Sequence, residues 1–193
     1  MTKVYPNANA VVSHTHTHHH ETLSPVQLTV WKKSLVFNCY GFTVFDSNGN
    51  LLFRLDNYSN PQILHLMDAS GHSLLTIRRK RLSLLDWVVY QGETAVNPPL
   101  FTVTKHVNLL NTKKSLAHVT TANRTIYQIE GSYTQRNCVV YDEKRRRILA
   151  EIKRKEAAVG GVAFGGDVFR LFLHQMDAAA AMAIVIILDQ MFL

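Results

Sequence analysis

From residue 28 to about 174 the chain repeats short segments that alternate apolar and polar positions or run apolar throughout. LTVW (28–31), FTVF (42–45), LLFRL (51–55), LLTI (74–77), WVVY (87–90) and LFTV (100–103) make a first series. TIYQI (125–129), CVVY (138–141), ILAEI (148–152) and VFRLFL (168–173) continue it. Turn residues separate them: Asp46 to Asn50 reads as a hairpin connection, and Asp68-Ala-Ser-Gly71 precedes the next strand. The Asp-x-x-Gly carboxylates Asp46 and Asp68 are therefore turn formers. The spacing predicts ten to twelve strands with no strong helix before Asp177, the pattern of an all-antiparallel sandwich or barrel.

The period changes at Asp177. The stretch Ala178 to Leu188 is apolar without interruption and ends at Asp189. Ala, Met, Leu and Ile at this density favour helix, and Asp177 can cap its first turn. The run has no polar face, so its surroundings must be protein or lipid. It falls short of the roughly 18 residues a membrane span needs. It is read as a helix enclosed by the rest of the domain, with a membrane hairpin or anchor as the alternative.

An internal echo joins these two features. Leu28-Thr-Val-Trp-Lys32 matches Phe101-Thr-Val-Thr-Lys105 at an offset of 73 residues, and Leu74 to Lys80 matches Leu149 to Lys155 at an offset of 75. Leu55 to Tyr58 loosely matches Glu130 to Tyr133 between them. Two duplicated halves closing on each other would make one barrel without exposed edges. A barrel of about twelve strands is too wide for its own side chains to fill, and the C-terminal helix is the candidate plug.

Composition narrows the class. At 193 residues with 47% apolar and 18% charged residues, the chain buries a core without disulfide staples and is not disordered throughout. Cys39 and Cys138 stand in no metal-ligand spacing and are read as buried, reduced thiols. Residues 1–27 show no secretory signal pattern and are read as a disordered, low-complexity tail. It carries His14, His16, His18, His19 and His20, which could chelate metal only weakly and without selectivity. Residues 28–193 are read as the barrel domain.

Lys and Arg number 21 against 14 Asp and Glu, a formal charge of +7. Three runs hold eleven of the 21: Arg78-Arg79-Lys80-Arg81, Lys144-Arg145-Arg146-Arg147 and Lys153-Arg154-Lys155. Anionic lipid attracts such residues by about 1 kcal/mol each, so a face of several is a weak, reversible tether unless a pocket grips phosphate bidentately. Strand alternation puts Arg78 and Lys80 on one face and Arg79 on the other. The candidate anionic-lipid contacts are Arg78, Lys80, Arg81, Lys144, Arg145, Arg147, Lys153 and Lys155, and a solvated barrel surface is the plain alternative. RRKR and KRRR also suit nuclear import or nucleic acid as strings, but they fall at strand ends or hairpins, and no interleaving of aromatic and basic residues supports a single-strand groove. Gly160 to Gly166 lacks the ending of a phosphate-binding loop. His65, His72, His106, His118 and His174 show neither metal-ligand nor triad spacing. No catalytic residue, metal or cofactor is assigned.

LTVWKK (28–33), GFTVFDSNG (41–49), LLTIRRK (74–80), IEGS (129–132), AEIKRK (150–155) and IVIILDQ (184–190), in that order, resemble the plant LURP-one-related family. The resemblance implies the tubby C-terminal-like fold, a closed antiparallel barrel threaded by a hydrophobic C-terminal helix. That superfamily includes phosphoinositide-binding tubby proteins and phospholipid scramblases, and the plant family is associated with pathogen defence. The chain departs from scramblases in having no membrane-length segment and no cysteine cluster. The expectation is a non-enzymatic binding module, cytoplasmic or peripheral at the plasma membrane, with a phosphoinositide-containing surface as its partner. A protein-interaction scaffold or a nuclear, transcription-associated factor is the alternative.

Overall fold

The computed structural model describes residues 24–57, 62–95, 98–107, 115–144, 146–156 and 165–192. The His-rich tract, Arg145 and much of the glycine-rich segment lie outside them. Among these described residues, twelve strands are followed by one helix. The first six are β1 (Val26–Trp31), β2 (Tyr40–Phe45), β3 (Leu51–Asn57), β4 (Ile63–Asp68), β5 (Ser73–Arg79) and β6 (Asp86–Gln91). The second six are β7 (Phe101–Lys105), β8 (Ser115–Thr121), β9 (Ile126–Ser132), β10 (Asn137–Asp142), β11 (Arg147–Arg154) and β12 (Val168–Leu173). α1 (Ala178–Phe192) follows β12.

Each strand pairs antiparallel with its neighbours in sequence, and β1 closes on β12 with Val26 opposite Leu173 and Trp31 opposite Val168. The result is a closed barrel without a free edge. The echo in the sequence has a spatial counterpart: β1 and β7, β3 and β9, and β5 and β11 each stand half a turn apart around the ring. Equivalent positions share a fate. Leu28 and Phe101, Val30 and Val103, and Ile77 and Ile152 all face the interior.

The Asp-Gly turns form as expected. Asp46 Oδ1 accepts from the backbone N–H groups of Asn48 and Asn50, both at 2.8 Å, and Gly49 takes a positive φ of 85°. The Asn50 side-chain amide, which donates to Asp46 Oδ2 at 2.9 Å, and then these backbone bonds hold the Asp46 carboxyl below the usual carboxylate range. Asp68 Oδ1 likewise accepts from the Ser70 hydroxyl at 2.7 Å and from the His72 N–H at 2.9 Å, on either side of Gly71 with its φ of 93°.

β4 and β8 were not among the segments singled out by pattern. Each carries a histidine that interrupts its apolar run, but Leu64 and Leu66 flank His65, and Ala117 and Val119 flank His118, as buried neighbours of an outward residue. Both cysteines are free thiols. Cys138 is buried, which pushes its thiol up to about 12, whereas Cys39 is half-buried in the β1–β2 connection rather than in the core.

α1 runs inside the cylinder. Ala181 to Asp189 are all buried, and Ile184 to Leu188 are at most 2% exposed. Asp177 caps its start, with Oδ1 accepting from the Ala180 N–H at 2.9 Å. No helix among the described residues is long and apolar enough to cross a membrane. The helix and the strand interiors form one apolar cluster, so each satisfies the burial the other requires.

Candidate anion-binding mouth of the barrel

In a closed antiparallel ring of twelve strands, all odd-numbered strands point the same way. Their C-terminal ends share one mouth, and the other mouth holds their N-terminal ends. The charges divide accordingly. At the first mouth β1 leads into Lys32 and Lys33, β5 into Arg78 to Arg81, β7 ends at Lys105, and β11 leads into Lys153 to Lys155. Asp56, Asp86, Glu156 and Asp167 oppose them there. At the opposite mouth Asp46, Asp68, Glu93, Asp142, Glu143 and Asp177 face Arg124, Lys144, Arg146 and Arg147. The first mouth is basic, and the opposite one leans acidic.

The single face suggested by the three basic runs is therefore not formed. Arg78, Lys80, Arg81, Lys153 and Lys155 lie at the basic mouth. Lys144 and Arg147 lie at the other, in the β10–β11 hairpin, because that run begins β11 instead of ending it. Their surroundings also differ. Arg147 sits 3.8 Å from the Asp142 carboxylate, which also accepts from the Lys144 N–H at 3.1 Å. Arg145 lies in the same connection, outside the described residues.

Even at the basic mouth the two runs stand half a turn apart. With strands about 4.8 Å apart and tilted about 40°, a twelve-stranded barrel is roughly 24 Å across. One phosphate group cannot bridge that distance, but a flat surface can touch both sides. The runs are also unequally neutralised. Lys153 Nζ is 2.8 Å from Glu151 and lies over the Phe172 ring. Burial pushes the Glu151 carboxyl up, but hydrogen bonds from Lys153 and His174 outweigh this and hold it below the usual range. At the end of β5, Lys80 Nζ reaches Asp86 only at 3.8 Å.

The β5–β6 edge forms a groove of about 200 Å³ lined by Arg78, Arg79, Lys80, Arg81, Val88 and Tyr90. Its shape follows from the register. Arg78 lies opposite Val88 on the outer wall, while Arg79 lies opposite the buried Trp87. β5 ends at Arg79, so this side chain leaves the interior past the rim and donates to the Leu84 carbonyl at 3.0 Å. All four cations thus converge on one concave patch, although strict alternation separates Arg79 from its neighbours. Guanidinium groups in such a patch suit bidentate contact with phosphate oxygens.

Sequence reading did not find the buried network behind this mouth. Asp189, 3% exposed, ends the apolar run of α1. Its carboxylate receives the Tyr133 hydroxyl at 3.1 Å and the Tyr40 hydroxyl, and lies 3.1 Å from Lys32 Nζ. Gln190 Nε2 donates to the Tyr40 oxygen at 3.0 Å. Burial and then the Asp189 charge push both tyrosine hydroxyls above their ordinary range. Lys105 Nζ donates to the Met191 carbonyl and lies over the Phe192 ring, which places a cation at the negative end of the helix. The available signal was a lone carboxylate closing an all-apolar run, which needs partners wherever the run is buried.

Two larger grooves, about 720 and 540 Å³, share Glu130, Val139 and Tyr141 on the outer wall of the second half. The Tyr141 hydroxyl donates to Glu130 at 2.7 Å, and Glu143 with Arg146 completes a mixed lining unsuited to an anion. His106 Nε2 and His118 Nδ1 are hydrogen-bonded at 2.8 Å nearby, so these two histidines meet across β7 and β8 despite their separation in sequence. A cavity of about 220 Å³ lies at the opposite mouth beside Ala180 and Ile184. Among the described residues, no group of three or more His, Cys, Asp or Glu side chains is placed to hold a metal.

A closed twelve-stranded antiparallel barrel threaded by its own C-terminal helix defines the structural class. A crystal structure of an Arabidopsis thaliana protein has the same fold, with a TM-score of 0.63 and 24% identity over 86% of this chain and 91% of that one. Residues 26–189 match the LURP-one-related family, and the chain belongs to it. It is 51% identical to protein LURP-one-related 8 of Arabidopsis thaliana over all of this chain and 98% of that protein. It is 43% identical to LURP-one-related 17 of the same plant, over 86% of this chain and 82% of the relative.

Proposed function

We propose that this LURP-one-related protein is a non-enzymatic binding module that docks its basic mouth on a phosphoinositide-containing membrane surface. The observation that carries this reading is the split of charge between the two mouths, with Arg78 to Arg81 gathered in one groove on the basic side. A net positive charge alone would only keep a protein soluble. Cations concentrated on one end of a cylinder orient it toward an anionic plane, at about 1 kcal/mol per residue near the surface. The groove adds a place where a multiply phosphorylated headgroup is held by several guanidinium and ammonium groups at once.

The reading places the protein at the cytoplasmic face of the plasma membrane, where anionic lipid is concentrated. A role in plant defence signalling rests on the family resemblance. Flotation with vesicles of neutral lipid, of neutral lipid with phosphatidylserine, and of the latter with a phosphoinositide tests the proposal. Recovery should rise in that order and fall with added salt. Equal recovery on all three compositions removes it.

A further inference from the structure

The connections at the basic mouth expose large apolar side chains as well as charge. Leu82 is 99% exposed, Phe37 88% and Leu84 75%. Leu82 and Leu84 lie in the β5–β6 connection, directly after the Arg78–Arg81 groove, and Phe37 lies in the β1–β2 connection after Lys32 and Lys33. Val107, 60% exposed, follows β7 and Lys105 at the same mouth. Exposed apolar residues at the opposite mouth sit at or beside the starts of strands, and all but Val26 are far less exposed: Ile148 is 42%, Leu100 37% and Ile126 37%.

Single exposed apolar residues are ordinary on a protein surface. Apolar tips gathered at one end, each beside cations, are not accounted for by solubility or by the core. The β1–β2 and β5–β6 connections are separated around the rim by β2 to β5, so the tips do not line one groove. Separated points on a rim define a plane. A plane with an apolar layer beneath an anionic one matches both sets of groups, because leucine and phenylalanine partition into the acyl boundary while lysine and arginine stay at the headgroups. Trp31, 38% exposed with Lys33 Nζ 5.0 Å from its ring, adds the amphipathic aromatic that such boundaries favour.

We infer that Phe37, Leu82 and Leu84 insert into the bilayer when the basic mouth docks, so that the protein is anchored by shallow wedges and not by charge alone. This inference rests on the membrane reading above. It is tested with the full chain on vesicles containing phosphatidylserine and a phosphoinositide, using two variants at exposed positions where folding is not at stake. Leu82→Ser with Leu84→Ser should weaken partitioning roughly tenfold or more while leaving the salt dependence unchanged. Phe37→Trp should give an additional emission component that shifts to the blue on binding and is quenched by lipids brominated in the acyl chains. Flotation of the native chain with no such quenching, and a double variant within twofold of it, overturns the insertion and leaves purely electrostatic docking. Absence of flotation on every anionic vesicle overturns both readings and returns the apolar tips to a protein partner.

Discussion

Lys32 Nζ lies 3.1 Å from Asp189 Oδ1, joining the end of the first strand to the last full turn of the helix that fills the barrel. The contact fixes how far the helix advances and how it is rotated, because Tyr40 and Tyr133 hold the same carboxylate from two further strand ends. Apolar packing alone would let the uniformly greasy surface of α1 slide or turn at little cost. A buried charge with named partners admits one register.

Asp189→Ala leaves two buried hydroxyls and one ammonium without their acceptor. It should lower the unfolding free energy by about 3 kcal/mol. Lys32→Met, at a side chain 22% exposed, should cost less, about 1 kcal/mol. Denaturant unfolding of both variants measures the difference, and equal small losses would show that the network does not fix the helix.

Stability should fall at alkaline pH. Tyr40 and Tyr133 are held protonated in the folded state, with pKa values above those of the unfolded chain. Their contribution is complete below about pH 10, the unfolded value, and is lost as pH rises beyond it, because only the unfolded chain then releases those protons. Absorbance of ionised tyrosine near 295 nm should show these two hydroxyls titrating only with unfolding. Tyr133→Phe should flatten the alkaline decline.

The interior has little slack. Ile186→Ala, at 0% exposure in the middle of α1, should cost about 2–5 kcal/mol. Gly131→Ala should be comparably harmful for a different reason. Its φ is +117°, and an added Cβ would stand 2.1 Å from the Asn137 carbonyl oxygen. Thermal melts of both, compared with Gly166→Ala, where an added Cβ meets nothing within 4 Å, separate packing from backbone effects.

The barrel and its plug were legible because they depend on period and length. Alternation over residues 28–174 gave strands, and an apolar run too short for a bilayer but lacking any polar face had to be enclosed. β4 and β8 escaped because His65 and His118 masked an alternation that Leu64, Leu66, Ala117 and Val119 nevertheless keep. The site was legible only in part. A run of basic residues in sequence does not say whether it ends a strand or begins one. That single difference sends Lys153 and Lys155 to one mouth and Lys144 and Arg147 to the other. The convergence on Asp189 spans β1, β2, β9 and α1, and no local pattern announces a contact across 149 residues.

Charge reversal at the two mouths tests the central claim most directly. Arg78→Glu, Lys80→Glu and Arg81→Glu together should reduce binding to phosphoinositide-containing vesicles by at least tenfold, with the fold intact by circular dichroism. Lys144→Glu, Arg146→Glu and Arg147→Glu, an equal change in net charge at the opposite mouth, should leave binding within about twofold. Equal loss from both triples would mean that overall charge and not the basic mouth governs binding, and would contradict the account.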